Sequence, residues 1–248
     1  MTSDKVLIHE ENKILRITIN RPDVRNALDR ETYALLAQTI DATVDRDDLH
    51  TIIITGAANY FTAGNDLHDF QKTPEAVSPA MVFLESLNKA TIPIIAAVEG
   101  GAVGIGVTML LHCDFVYAGK DTRFQLPFIH LALCPEGASS VLLAQYVGIR
   151  QANEWLFRGN PFSAEKAFEA GLINQVSESG QAIHDAQKLA EELTQHSLAS
   201  LKHTKRLLKR QISPVVAETI HIERKAFAEC LQSEAAQEKF RKFFANKK

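Results

Sequence analysis

Three apolar runs, Thr51 to Thr55, Ile94 to Val98 and Phe115 to Tyr117, show no polar alternation and are only three to five residues long. A strand with one face in water alternates, whereas a strand apolar throughout is covered on both faces. Helical patterns separate the runs: one from Pro79 to about Ala90, the other around Val107 to Leu111. Strands spaced by helices imply crossover connections and a parallel sheet. The beginning differs, because Val6-Leu7-Ile8 and Ile14 to Ile19 flank the turn-like Glu11-Asn12 and predict a hairpin. Asp29 then reads as the N-cap of a helix through about Val44, with Leu35, Leu36, Thr39, Ile40 and Val44 on one stripe.

Further along, Ala138 to Val147 reads as helix and Ile173 to Val176 as strand. From about Ala182 strand signals vanish, and Ser197, Ser213-Pro214 and Ser233 are natural helix starts. The expectation is an α/β core over residues 1–195 and a helical region over 196–248. With 248 residues, 46% of them apolar and 23% charged, the chain has ample material for one large core and is not disordered. No apolar run approaches the roughly 20 residues that span a bilayer, so no membrane partner is expected. The start, MTSDKVLIHEENK, lacks a long apolar stretch and predicts no signal or transit peptide, and ANKK is no address signal. Cys113, Cys134 and Cys230 are odd in number and without metal-like spacing, which points to a reducing, cytoplasmic setting with no metal. Net charge is −3, excluding general polyanion binding, so no nucleic acid is expected. Charge is nevertheless uneven: from Leu201 onward 12 Lys and Arg face 5 Asp and Glu, against 15 and 25 before it. A basic end on an acidic body suits a phosphate-bearing ligand or a neighbouring subunit, although by itself solvated helix faces are the simpler account.

Two glycine-bearing turns follow two of the strands: Phe61 to Leu67 (FTAGNDL) and Glu99 to Gly106 (EGGAVGIG). Small residues there let backbone approach a ligand, and the helix starts that follow present unpaired amides. Two such turns facing each other aim two N–H groups at one oxygen, the arrangement of an oxyanion hole. Either turn alone is explained by tight packing. Gly100, Gly104 and Gly106 also fit the dinucleotide turn of short-chain dehydrogenases, with Asp121 21 positions on. Those enzymes need a Tyr followed four residues later by Lys. Here Tyr33, Tyr60, Tyr117 and Tyr146 are followed by Ala37, Gly64, Asp121 and Arg150, so that reading loses its catalytic pair.

Four segments together resemble the enoyl-CoA hydratase/isomerase (crotonase) family over nearly the whole chain: RPDVRNALD, FTAGNDL, EGGAVGIGVTMLLHCDFVYAGKDTRF and FSAEKAFEAGLINQV, in the family's order. The resemblance implies a spiral of ββα turns with a helical C-terminal trimerisation region, hence a homotrimer or dimer of trimers. It implies an acyl-CoA substrate, in which coenzyme A is part of the substrate and no separate cofactor is required. The oxyanion-hole amides fall on Asn65 and on Ile105, beside Gly64 and Gly104. Arg25, Ala27, Leu28, Ala63, Asp66 and Leu67 fall along the CoA. The two glutamates with which the family's hydratases handle water correspond to Thr108 and Phe128, neither of which is an acid or base.

One carboxylate remains well placed. Glu136, in HLALCPEGASS, matches the base of the Δ3,Δ2-enoyl-CoA isomerases, most closely the peroxisomal type. An acid before a helix also needs no function, since it complements the helix dipole by ~0.3–1 kcal/mol. The resemblance implies an isomerase of fatty-acid β-oxidation that carries the double bond of a 3-enoyl thioester to the 2-position. The alternatives are another acyl-CoA reaction (hydration or thioester hydrolysis) or a CoA-binding module without catalysis. His68, His112 and His130 read as packing or surface residues, Cys134 as a buried thiol, Ser139 and Ser140 as helix-start residues, Trp155 as packing and Asp114 as a loop tie.

Overall fold

The computed structural model describes residues 4–71 and 78–245; the first three residues, residues 72–77 and most of the ANKK end lie outside it. Among the described residues nine strands form two sheets. The larger holds β1 (Val6–Glu11), β2 (Ile14–Ile19), β3 (Thr51–Gly56), β4 (Ile94–Val98), β6 (Phe115–Gly119) and β9 (Gln175–Ser177), in the order β1-β2-β3-β4-β6-β9. The smaller holds β5 (Gly101–Val103), β7 (Arg123–Gln125) and β8 (Phe162–Ser163). Ten α-helices accompany them among the described residues: α1 (Arg30–Asp41), α2 (Pro79–Lys89), α3 (Ile105–Thr108), α4 (Ser139–Val147), α5 (Ile149–Arg158), α6 (Ala164–Glu169), α7 (Ala182–Thr194), α8 (Leu198–Lys209), α9 (Ile212–Gln232) and α10 (Glu234–Ala245).

The hairpin β1–β2 is antiparallel, and every later pairing in the large sheet is parallel. Its turn is Asn12-Lys13, both left-handed, one residue beyond the expected Glu11-Asn12. In the parallel strands the side chains divide by parity. Ile52, Ile54, Ile94, Ala96 and Val98 enter the main core with α1 and α2, whereas Ile53, Ile95 and Ala97 meet Ala182, Ala186 and Ala190 of α7. This two-sided burial is why those runs carry no polar alternation. The small residues of α7 let that helix approach the sheet closely.

Each turn of the chain adds one strand to the large sheet and one short extended segment beside it. β4 is followed by β5 and β6 by β7, while Thr62, just after β3, bridges Ala102, and Leu28 bridges Asn65. The outcome is a spiral of ββα turns, as expected. Several bounds differ from the sequence reading. α1 stops at Asp41, so its buried stripe is Thr32, Tyr33, Leu36, Ala37 and Ile40; Asp29 caps it by accepting from the Thr32 N–H at 2.9 Å. The expected helix around Val107 to Leu111 is α3 followed by a 3-10 turn at Met109–His112. The last strand is Gln175–Ser177 rather than Ile173–Val176, because Leu172 and Ile173 pack into the core from the preceding turn. The small sheet and α5 were not foreseen.

The C-terminal helices pack on this core. Ile220 of α9 and Phe240 of α10 are buried within the chain itself; Phe227 and Phe244 are partly buried against the same core. α8 is tied down by Lys205, which is 5% exposed. Its ammonium donates to the Ile92 carbonyl and to Asp114 Oδ2, each at 2.7 Å. Asp114 also accepts from the Ile94 N–H at 2.8 Å, so it does tie down a loop, at the entry to β4. Among the described residues no helix is long and apolar enough to cross a membrane.

Removing one partner of a buried ion pair strands the other charge at a cost of about 3–5 kcal/mol. Lys205→Ala is expected to lower the unfolding free energy by about 3 kcal/mol in urea titrations. The double variant Lys205→Met, Asp114→Asn should lose less than the single one, since no buried charge is left alone.

Candidate active site

The two glycine turns meet. Asn26 supports the first by donating to the carbonyls of Ala57 and Tyr60. Thr62 pairs with β5 in the second: its N–H donates to the Gly101 carbonyl at 3.0 Å and its carbonyl accepts from Val103 N–H at 3.1 Å. Gly64 is left-handed (φ 85°), and a Cβ there would lie 2.5 Å from the Val103 carbonyl oxygen and 3.9 Å from the Gly104 nitrogen. Only glycine permits this approach. The Leu28 N–H bonds to the Gly64 carbonyl and the Asp66 N–H to the Leu28 carbonyl, which leaves the Asn65 N–H between them without a partner among the described residues. The Ile105 N–H opens α3 and is likewise unpartnered among them. Two free amides thus stand on adjoining turns.

Tyr33 fixes the first turn from the side. It is buried on α1, and its hydroxyl donates to Asn65 Oδ1 at 2.6 Å. The Asn65 side chain is thereby engaged by Tyr33, and its backbone amide is left without a partner among the described residues.

Glu136 lies beyond the 3-10 turn Phe128–Leu131, on the segment entering α4. The next two residues, Gly137 (φ 74°) and Ala138 (φ 58°), are both left-handed. Thr108 Oγ1 donates to Glu136 Oε1 at 2.9 Å, and a neutral His112 donates through Nε2 to the Gly137 carbonyl at 2.8 Å. The Ala138 and Ser140 N–H groups both donate to the Glu223 carboxylate, at 2.6 and 2.9 Å.

Glu136 lines a largely apolar cavity of about 250 Å³, walled by Leu28, Tyr33, Phe70, Met81, Leu84 and Phe227, with Arg30, Asp66, Asp69 and Arg224 also bordering it. Burial therefore pushes its carboxyl up to about 8; the Thr108 hydrogen bond pulls the other way, and the nearby Glu223 charge pushes further up. His112 falls to about 4 because burial disfavours its cation. Cys134 rises to about 12 through burial and the neighbouring Cys230, so it is no nucleophile.

The expected residues divide between two adjoining spaces. Arg25, Ala27, Ala63, Gly64, Asn65, Asp66, Leu67 and Gly104 line an open cleft with Phe128 and His130. Asn65 and Asp66 also border the apolar cavity, which Leu28 and Glu136 line; Leu28 therefore faces the cavity and not the cleft. Ile105 is fully buried and lines neither, so only its backbone is at issue. Asp66 is held by Arg21 (3.1 Å) and His68 (2.9 Å), and the Arg25 guanidinium stands 5.9 Å above the Tyr60 ring. His68 and His130 are exposed, with His130 bonded to the Arg158 carbonyl at 2.8 Å. Thr108, dismissed on sequence as neither acid nor base, is the hydrogen-bond donor to Glu136. Tyr33 and Glu223 had no sequence signal at all.

A family model described as enoyl-CoA hydratase/isomerase matches residues 9–248. The chain belongs to the enoyl-CoA hydratase/isomerase family. A crystal structure of an enoyl-CoA hydratase/isomerase from Pseudoalteromonas atlantica T6c superimposes with a TM-score of 0.94 at 37% identity, covering 98% of each chain. The 2,3-dehydroadipyl-CoA hydratase of Escherichia coli (strain K12) is 31% identical over 229 residues, 90% of this chain and 89% of that one. Enoyl-CoA delta isomerase 2 of Rattus norvegicus is 34% identical over 182 residues, 70% of this chain and 46% of that one. The family acts on acyl-CoA thioesters, and this chain is an enzyme of that family; its relatives include both hydratases and isomerases.

The raised Glu136 carboxyl has a consequence for stability. Its folded value lies above the unfolded one, so the fold gains from its proton at low pH and loses that contribution as pH rises through about 8. Glu136→Gln cannot lose a proton. It should melt within a degree or two of wild type at pH 5 and a few degrees above it at pH 9, by calorimetry.

Proposed function

We propose that the protein is an isomerase that converts 3-enoyl-CoA into 2-enoyl-CoA with Glu136 as its single base. One observation carries this reading: a carboxyl group faces a largely apolar cavity, is pushed up to about 8, and has a hydroxyl donor, Thr108, beside it at a position where the family's hydratases carry one of their two acids.

The chemistry needs one mobile proton. The Glu136 carboxylate removes a proton from the α carbon of the 3-enoyl thioester. The C–H electron pair becomes a dienolate whose charge rests largely on the thioester oxygen. The Asn65 and Ile105 amides meet that oxygen, and each such donor is worth about 3–4 kcal/mol in the transition state. The protonated Glu136 then delivers the same proton to the γ carbon, leaving the double bond conjugated with the carbonyl. No water enters the balance, which suits an apolar cavity. In this reading the open cleft takes the CoA portion, along Arg25, Ala27, Ala63 and Leu67.

Hydration is the second reading, supported by relatives such as the E. coli hydratase. It needs a second acid or base to place water. Thr108 and Phe128 stand where the family's hydratases have theirs, and neither can serve.

For assembly we propose the trimer that the family resemblance implies. Its support is the apolar surface left on the C-terminal helices after Ile220 and Phe240 are buried: Leu207 is 66% exposed, Leu208 78% and Ile222 59%. Sedimentation as a monomer would exclude it.

Mixing the protein with 3-enoyl-CoA is expected to produce the absorbance of the conjugated thioester, with kcat/KM rising toward a plateau above pH about 8 as Glu136 ionises. Glu136→Gln should lose at least about 10³-fold in kcat with little change in CoA affinity. A wild-type rate in that variant removes Glu136 from the reaction. Hydration of crotonyl-CoA is expected to be negligible; a rate comparable to isomerisation would favour the hydratase reading.

A further inference from the structure

The turn that presents Glu136 holds two consecutive left-handed residues, and its amides are gripped from a distant part of the chain. Glu223 lies in the middle of α9 and is 6% exposed. Its two carboxylate oxygens are separately engaged, Oε2 by the Ala138 N–H and Oε1 by the Ser140 N–H, 85 and 83 residues away in sequence. A buried carboxylate receiving two backbone donors is unlike the exposed acids that merely complement helix dipoles. It binds the very turn that begins at Glu136. We propose that Glu223 is a positioning residue for Glu136, fixing the turn that carries it and setting its own carboxylate charge near it. This rests on the reading of Glu136 as the base.

The remaining charged and titratable groups about Glu136 are few. α1 contributes Arg30 and Tyr33; the loop and 3-10 turn after β3 contribute Asp66 and Asp69; α9 also contributes Arg224. His112 holds Gly137 from below, with Lys209 donating to the His112 carbonyl at 3.0 Å and Lys205 behind it. Cys134 and Cys230 adjoin Glu223. Burial holds Tyr33 well above its ordinary value, His112 is down at about 4, and Asp66 is kept low by His68 and Arg21 in spite of its burial. Glu136 and Glu223 are thus the carboxyls that burial moves upward together, and each ionised partner disfavours the other.

Two variants separate charge from packing. Glu223→Gln keeps size but removes charge, and turns an N–H toward one of the two amides. Glu223→Asp keeps the charge. Full-length protein labelled with 13C at the glutamate carboxyl is titrated by NMR, with the Glu136 and Glu223 signals assigned by their loss in Glu136→Gln and Glu223→Gln. In Glu223→Gln the Glu136 midpoint is expected to fall by roughly half a unit or more, and the midpoint of the isomerisation kcat/KM profile to fall with it. Glu223→Asp should restore both to within about 0.3 unit of wild type. A purely structural Glu223 would lower the melting temperature of Glu223→Gln and leave the Glu136 midpoint in place, which overturns the proposal. If Glu223→Gln does not fold, the wild-type titration decides: an inflection in each signal at the other's midpoint supports the proposal, and two independent one-site curves overturn it. The NMR readout needs no turnover, so a shifted midpoint in a protein without isomerase activity would sink the proposed reaction alone.

Discussion

The pass of Gly64 over the Val103 carbonyl is the contact on which the site depends. It exists because β3 and β4 are parallel neighbours, so the loops that leave them emerge at one edge of the sheet. Ligands of parallel sheets gather at the carboxyl ends of strands for the same reason. The Thr62–Ala102 bridge then draws the two loops together until only a hydrogen atom fits on Gly64. Two backbones this close cannot each have a full set of partners, and among the described residues the Asn65 and Ile105 amides are left without one. A larger residue at position 64 would separate the turns before it disturbed any side chain.

The burial of Glu136 works against the fold and toward the chemistry. A carboxylate in water at pH 7 is a weak base, whereas a carboxyl held near 8 is matched to a proton transfer near neutrality. The cost is borne by an environment able to carry it. Thr108 supplies one hydrogen bond, His112 and Glu223 hold the strained backbone behind the side chain, and α9 closes the cavity with Ile220 and Phe227. The C-terminal helices are therefore part of the site as well as of the outer surface. Lys205 and Asp114 anchor α8 to the end of the sheet, and Lys209 reaches from the same helix to His112.

The legible parts of the sequence are those whose cause is local. Runs buried on two faces lose their alternation, so β3, β4 and β6 were visible as parallel strands. Asp29 and Ser197 cap α1 and α8 through bonds to residues three positions on, and such bonds are written into neighbouring residues. β5, β7 and β8 have three, three and two residues, too few to show any period. α5 follows α4 with only Gly148 between them, so its start carried no separate signal. The glycine turns stood out from their small residues after strands, whereas Glu136 could be named because a family resemblance placed it. Thr108, Tyr33 and Glu223 could not, since their roles lie in bonds spanning 28, 32 and 85 residues that exist only once the chain is folded.

Position 108 shows how one side chain can separate two reactions on the same frame. The Thr108 hydroxyl is 2.9 Å from Glu136 Oε1. A carboxylate there would come within reach of Glu136, and two carboxyls so placed in an apolar setting share a proton, titrating as a pair. A pair of that kind can divide the work of activating water and donating a proton. A hydroxyl brings no second charge and donates its single proton to the base. In the proposed reaction Glu136 titrates without an acid partner at position 108, takes a proton from carbon, and keeps it until a second carbon accepts it. The same substitution removes a polar anchor for water beside the base. The preference for moving a double bond over hydrating it follows, in the proposed reaction, from the lack of ionisable groups at positions 108 and 128 and not from any change in the scaffold.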